Sequence, residues 1–326
     1  MVPLFIFILY IMNKENTVFA HASMFMAGAI WGLSAPVGKV VMSHGMNGLQ
    51  LVSLRMAGAC ACFWLASLFA KREHVPLRDL LRLLLAGLLA IGFNQTMFTV
   101  GLSMTSPVNA AIMTTTMPIA TMILSFLFLR EPITWKKLLG ILLGATGAVM
   151  LVMFSARGDS HRSGNPVGDM LVVMAQFSFA AYLTAFKKVI HRYSGITCMK
   201  WMFLSSLLFV VPFTAQSFAS FKWQGHDLSF WSGTFYVVFG ATFLAYLFLM
   251  FGQKKLRPTV VSIYNYVQPV VACLVSAVAG LAVFGLLHAA AICMVFGGVW
   301  LVTRSKSRAQ QLQEEAAKRS MDRKRG

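Results

Sequence analysis

From residue 18 to residue 303 the chain is a train of apolar stretches, most about twenty residues long, joined by short polar segments. About twenty apolar residues in a helix cross the hydrocarbon core of a bilayer. Backbone polar groups have no water to bond there, so helices are the economical way to cross. Ten helices are expected, at approximately 18–42, 47–70, 78–101, 106–129, 135–153, 167–190, 197–217, 229–252, 257–281 and 285–303. His44-Gly45-Met46 is a turn signal before the second, and Ser106-Pro107 is a favoured helix start for the fourth. Composition agrees: 58% of the residues are hydrophobic and 12% are charged, against roughly a quarter charged in a soluble domain. The expected fold class is an all-α membrane protein with ten transmembrane helices.

The net charge of +18 would by itself suit a nucleic-acid binder. The basic residues instead sit in short clusters between apolar runs, with a larger group after residue 303. No nucleic-acid partner is expected; the expected partners are a lipid bilayer and a small-molecule substrate. With a cytoplasmic N-terminus, 22 Lys and Arg fall in cytoplasmic segments and only Arg157, Arg162 and Lys222 in external ones. That asymmetry predicts both termini inside and an even number of spans. The expected location is a multi-pass plasma membrane, the inner membrane of a bacterium.

Residues 1–12, MVPLFIFILYIM, are too short to span and lack the basic start and small-residue cleavage site of a signal peptide. The tail 304–326 is polar and basic, suited to the cytoplasmic side near anionic headgroups. Cys60, Cys62, Cys198, Cys273 and Cys293 form no CxxC and no His/Cys cluster. They read as packing residues, and neither metal nor cofactor is expected.

Sliding the second half over the first by 151 residues matches Gly101 with Gly252, Pro107 with Pro258, Pro118 with Pro269, Ser125 with Ser276 and Gly147 with Gly298. Each half holds five spans, an odd number, so the second copy must enter the membrane from the other side. Two inverted five-helix repeats are expected, 18–153 and 167–303, with a site near the midplane between them. Pro118 and Pro269 fall in mid-helix, where a proline frees a carbonyl and bends the helix; the plainer reading is a kink that only aids packing.

AIWGLSAPVGKVV (29–41) and GLSMTSPVNAAIMTTTMPIATMILSFLFLREPITWKKLLGILLGATGAVMLV (101–152) resemble the EamA family of the drug/metabolite transporter superfamily. The first carries a Trp-Gly start with a later Lys. In the second a helix ends in Glu, a short basic loop follows and a Gly-rich helix closes the repeat. The resemblance covers residues 18–303. It implies a ten-helix fold and export or exchange of small metabolites, often amino acids. Where the first half has Arg130-Glu131-Pro132 the second has Leu281-Ala282-Val283, so Glu131 reads as a loop anchor in one half only.

No acidic residue falls near a span centre, and the seven histidines sit near span ends or in loops. A proton relay of intramembrane carboxylates is therefore not expected, and facilitated or exchange transport is. Arg55 lies about eight residues, roughly 12 Å, into the second span, where a guanidinium needs backbone carbonyls, water or an anionic substrate group. Lys39, near the external end of the first span, either snorkels or takes part in the site. Polar side chains cluster as Asn94 and Gln95 in the third span, Thr115 in the fourth, Gln176 and Tyr182 in the sixth, and Tyr264, Asn265 and Gln268 in the ninth. With Trp31 and Ser34 in the first they are the substrate-cavity candidates. Their plainer role is bonding between helices.

No HExxH, paired intramembrane Asp or Ser/His set is present, so an enzyme is not expected. A scaffold or receptor would be expected to carry larger loops. Within transport, an exporter of cationic or hydrophobic drugs is the rival reading. Such exporters usually keep an acid in the cavity, and Arg55 and Lys39 favour an amino-acid-like or other anionic or zwitterionic solute.

Overall fold

The computed structural model describes residues 17–155, 165–278, 285–306, 308 and 310–313. Residues 1–12, Lys14, Arg157, Arg162, Leu281-Ala282-Val283 and most of the tail 304–326 lie outside the described residues. Ten helices are long and apolar enough to span: α1 Thr17–Ser43, α2 Gly48–Leu68, α3 Leu77–Met104, α4 Val108–Leu129, α5 Trp135–Met153, α6 Pro166–Ala185, α7 Gly195–Ala219, α8 Leu228–Lys255, α9 Pro258–Val275 and α10 Leu286–Thr303. Among the described residues there is no strand. Most bounds fall within three residues of the expected ones. The sixth span stops five residues early, because Phe186 interrupts it and Lys187–Ile190 is a separate turn.

Local chemistry sets the starts. Asn47 and Gln50 form a capping box at α2, and Ser106, Asn165, Ser194 and Asp227 each accept a backbone N–H in the first turn of their helices. Gly45 turns the chain at φ 93°, a conformation that costs glycine little.

Contacts sort the loops into two ends. At one, the Ser194 N–H donates to Glu73 at 2.9 Å, Arg192 pairs with Asp79 at 2.7 Å, Thr259 donates to Glu131 at 3.4 Å and Arg257 donates to the Ser305 carbonyl at 2.8 Å. At the other, Asn47 reaches Ser217 at 3.0 Å, His44 reaches Asp227 at 3.1 Å and Thr105 donates to Asp169 at 2.6 Å. The first end carries the basic loops and is called the basic end below. Glu131 is buried there with Lys137, tying the 130–134 loop to the start of α9.

Glu73 is the outside group that caps α7. Burial alone would raise its pKa, but bonds from Thr197 and Ser194 and the Lys254 charge outweigh it and hold it below the ordinary 4.5. A depressed carboxyl pKa stabilises the fold above the unfolded value, and that stability is lost as pH falls through the folded one. Glu73→Gln is expected to melt about 2 °C below the wild type at pH 7. The gap should close below pH 4.5, read by thermal unfolding in detergent.

Packing repeats at the same 151-residue step. The pairs α3·α6 and α8·α1 are counterparts, as are α4·α6 and α9·α1, while α2·α7, α4·α9 and α5·α10 pair each helix with its own counterpart. Helix irregularities recur too. α3 and α8 each contain a π-helical segment, Leu88–Phe93 and Tyr236–Leu244. α4 breaks at Thr115-Thr116 before Pro118, and α9 narrows to a 3₁₀ turn at Tyr264–Tyr266 before Pro269. Three hydrogen bonds join residues 151 apart: Gln95–Tyr246, Asn265–Thr114 and Tyr266–Thr115. Residues bonded to their own counterparts lie where a two-fold axis relating the halves would pass.

Candidate functional site

The breaks deliver backbone carbonyls to the centre of the bundle. Pro118 has no N–H for the Thr114 carbonyl; the Asn265 amide donates to it instead, at 2.9 Å. The π-segments shift the ladder in the same way. Ala90 O accepts from Tyr246 at 3.2 Å, and its counterpart Ala241 O accepts from the Trp31 indole at 2.9 Å. Pro36 likewise leaves Gly32 O without its donor, and α1 breaks at Leu33.

Around these breaks lies a void of about 500 Å³, counting space continuous with the solvent. Its polar wall is Ser34, Arg55, Asn94, Gln95, Thr114, Gln176, Asn265 and Gln268; its apolar wall is Trp31, Phe98, Met117, Phe179 and Tyr246. Trp31 sets its ring edge against Tyr246 and Phe179, with centroids 5.6 and 6.3 Å away. Arg55 is 3% exposed and its Nε donates to Thr242 at 2.9 Å. No ion pair to Arg55 exists among the described residues, and no carboxylate lines the void. Asn94 donates to Ala175 O at 2.7 Å, and Gln268 to the Asn265 side chain.

Eight candidates from the sequence are thus brought together: Trp31, Ser34, Arg55, Asn94, Gln95, Gln176, Asn265 and Gln268. Four are not. Thr115 folds its hydroxyl back onto Ile112 O at 2.7 Å, and its neighbour Thr114 lines the void instead. Lys39 lies further along α1, donating to Thr105 O at 3.3 Å. Tyr264 bonds His21 at 2.7 Å and lines a smaller void of about 230 Å³ on the basic side. Tyr182 is bonded to Gln253 and lines a third, of about 250 Å³, with Lys187 and His191. Trp31, Met117, Phe179 and Asn265 are shared between the central and second voids, and Val261 between the second and third. Sequence reasoning missed Phe98, Met117, Phe179 and Tyr246, which read as apolar core. The 151-residue step carried a signal for Tyr246, since it lands there from Gln95. Among the described residues no group of His, Cys, Asp and Glu could hold a metal ion.

Ten apolar helices around a polar central void define a multi-pass membrane protein with room for a small solute between its helices. The EamA-like transporter family matches residues 18–153 and 166–304, and the chain belongs to that family. An uncharacterized transporter of Bacillus subtilis, YetK, is 28% identical over 88% of this chain and 87% of its own. The uncharacterized inner membrane transporter YedA of Escherichia coli is 27% identical over 87% and 90%. The WAT1-related protein At5g13670 of Arabidopsis thaliana is 22% identical over 88% and 85%. One crystal structure, 18% identical, superposes with a TM-score of 0.71 over 89% of this chain and all of that one, a likeness of fold.

Proposed function

We propose that the chain exports or exchanges a small organic anion or zwitterion, amino-acid-like in size, by alternating access through the central void. The repeats 18–153 and 167–303 would be the moving units. The proposed setting is a bacterial inner membrane, with the basic end and both termini in the cytoplasm. One observation carries the substrate class: among the described residues Arg55, buried in the wall of the void, has one neutral hydrogen-bond partner and no counter-charge. An unpaired buried cation is costly, and a ligand carboxylate would supply its missing partner. Ser34 and Gln176 line the same void without a side-chain hydrogen bond among the described residues, leaving them free for a solute. A cation exporter would want an acid there, and the lining holds none. Counterflow in proteoliposomes of the purified protein tests the assignment. Zwitterionic or anionic carboxylates should exchange and quaternary ammonium ions should not. Exchange of the cations alone would sink it.

A further inference from the structure

The polar wall of the void contains a hydrogen-bond chain whose direction is fixed at both ends. At one end is Ala90 O, in the π-segment of α3. A carbonyl only accepts, so the Tyr246 hydroxyl, 3.2 Å away, spends its single proton there. The Tyr246 oxygen can then only accept from Gln95, 2.8 Å away, so the group facing it is the Gln95 amide nitrogen. At the other end is Ala175 O, which takes the Asn94 amide nitrogen at 2.7 Å. Asn94 therefore turns its oxygen toward Gln95, and the same Gln95 nitrogen reaches it at 3.4 Å. Both neighbours demand a donor from Gln95; flipping the amide would set its oxygen against the Asn94 oxygen and draw the Tyr246 proton away from Ala90 O.

One atom is left over. Gln95 Oε1 is buried and has no hydrogen-bond partner among the described residues, on a side chain that is 7% exposed and lines the void. Buried acceptors are almost always paired. The orphan hydroxyls Thr96 and Thr99 on the same helix differ in kind, because a hydroxyl finds a helix carbonyl by turning about one bond. A locked amide has no such freedom. Arg55 lines the same void.

Resting on the assignment of Arg55 as the anion-binding group, we propose that Gln95 Oε1 reads a hydrogen-bond donor on the substrate. The void then selects carboxylates that carry a nearby hydroxyl or amino group over those that lack one. Tyr246 and Asn94 are positioning residues that hold the Gln95 amide in its reading orientation. A site built to bond a substrate O–H or N–H rejects the analogue without it more strongly than it rejects a missing methylene, because its own polar atom stays unpaired.

The test is binding of matched probes to the purified full chain: lactate against propionate, and 3-phenyllactate or phenylalanine against 3-phenylpropionate. 2-Methoxy-3-phenylpropionate keeps the oxygen and removes the donor. The wild type is expected to prefer the donor-bearing member by about tenfold or more, and to treat the methoxy compound like the deoxy one. Gln95→Met should bring the ratio to about twofold or less, and Tyr246→Phe, which frees the amide to flip, should lower it too. These ratios are taken within one preparation, so a loss of folded protein cancels. Equal affinities in the wild type, or an unchanged ratio in Gln95→Met, overturn the role of Gln95. If carboxylates bind without discrimination and Arg55→Gln abolishes that binding, the Arg55 assignment stands and the Gln95 proposal falls. If no carboxylate binds the wild type, both fall.

Discussion

Arg55→Met is expected to lose carboxylate exchange by about a hundredfold and yet to melt at a higher temperature than the wild type in the absence of substrate. Both halves follow from one geometry. The guanidinium is buried, holds a single neutral partner in Thr242 and makes no ion pair among the described residues. Truncating one member of a buried charge pair costs about 2–5 kcal/mol, and every 1.4 kcal/mol is about tenfold in affinity. A loss of about a hundredfold lies inside that range. In the empty protein no counter-charge faces it among the described residues, so an apolar side chain of similar length relieves desolvation. Thr242 is not orphaned by the change, because its hydroxyl also reaches Val237 O at 2.7 Å. Arg55→Lys keeps the charge but not the two-pronged fork and should fall between. Counterflow rates and detergent melting curves on the same preparations read both effects. Wild-type exchange by Arg55→Met would place the arginine among structural residues. A lower melting temperature would show that its charge is compensated in the resting state.

The spans were legible because the bilayer imposes a length and a polarity that few other environments demand. The two loop sets were legible because charge asymmetry tracks the side of the membrane, and the contacts gather the loops accordingly. Pro118 and Pro269 pointed to helix breaks because proline removes a donor wherever it sits. The π-segments of α3 and α8 left no such mark, since neither Leu88–Phe93 nor Tyr236–Leu244 holds a proline. The site was legible only in part for a related reason. Polarity marks which helix faces inward but not the depth or the exact turn. Tyr264 and Tyr182 face inward at the wrong depth, on the basic side of the central void. Thr115 falls beside the break in α4, where the helix turns Thr114 into the void in its place. Tyr246 sits in the apolar run Leu244–Met250, where an aromatic reads as core until a partner for its hydroxyl is visible.

Gly298→Val is expected to be strongly damaging, while alanine at its neighbour Gly297 should be mild. The reason is how α5 and α10 meet. Gly140 and Gly144 on α5 form a small-xxx-small stripe, and in lipid such stripes let backbones approach closely enough for dispersion to hold helices together. A Cβ on Gly298 would lie 2.5 Å from Gly140 O and 2.8 Å from Gly144 N. Both are backbone atoms, so no rotamer change relieves the clash. The helices would have to part by roughly 1 Å, forfeiting contacts along the whole seam. Overpacking of a side-chain wall costs about 1–3 kcal/mol, and a backbone wall should reach the top of that range. On Gly297 the nearest atom to a new Cβ is a Leu143 methyl at 3.5 Å, an ordinary contact. The expected results are a melting temperature about 5 °C or more below the wild type for Gly298→Val and a smaller drop for Gly298→Ala. Gly297→Ala should lie within about a degree of the wild type. The pair of positions separates the seam from helix propensity, because both sites lose the same glycine entropy and only one meets a backbone. Equal losses at the two positions would mean that the α5·α10 seam is looser than the close approach of Gly298 to Gly140 requires.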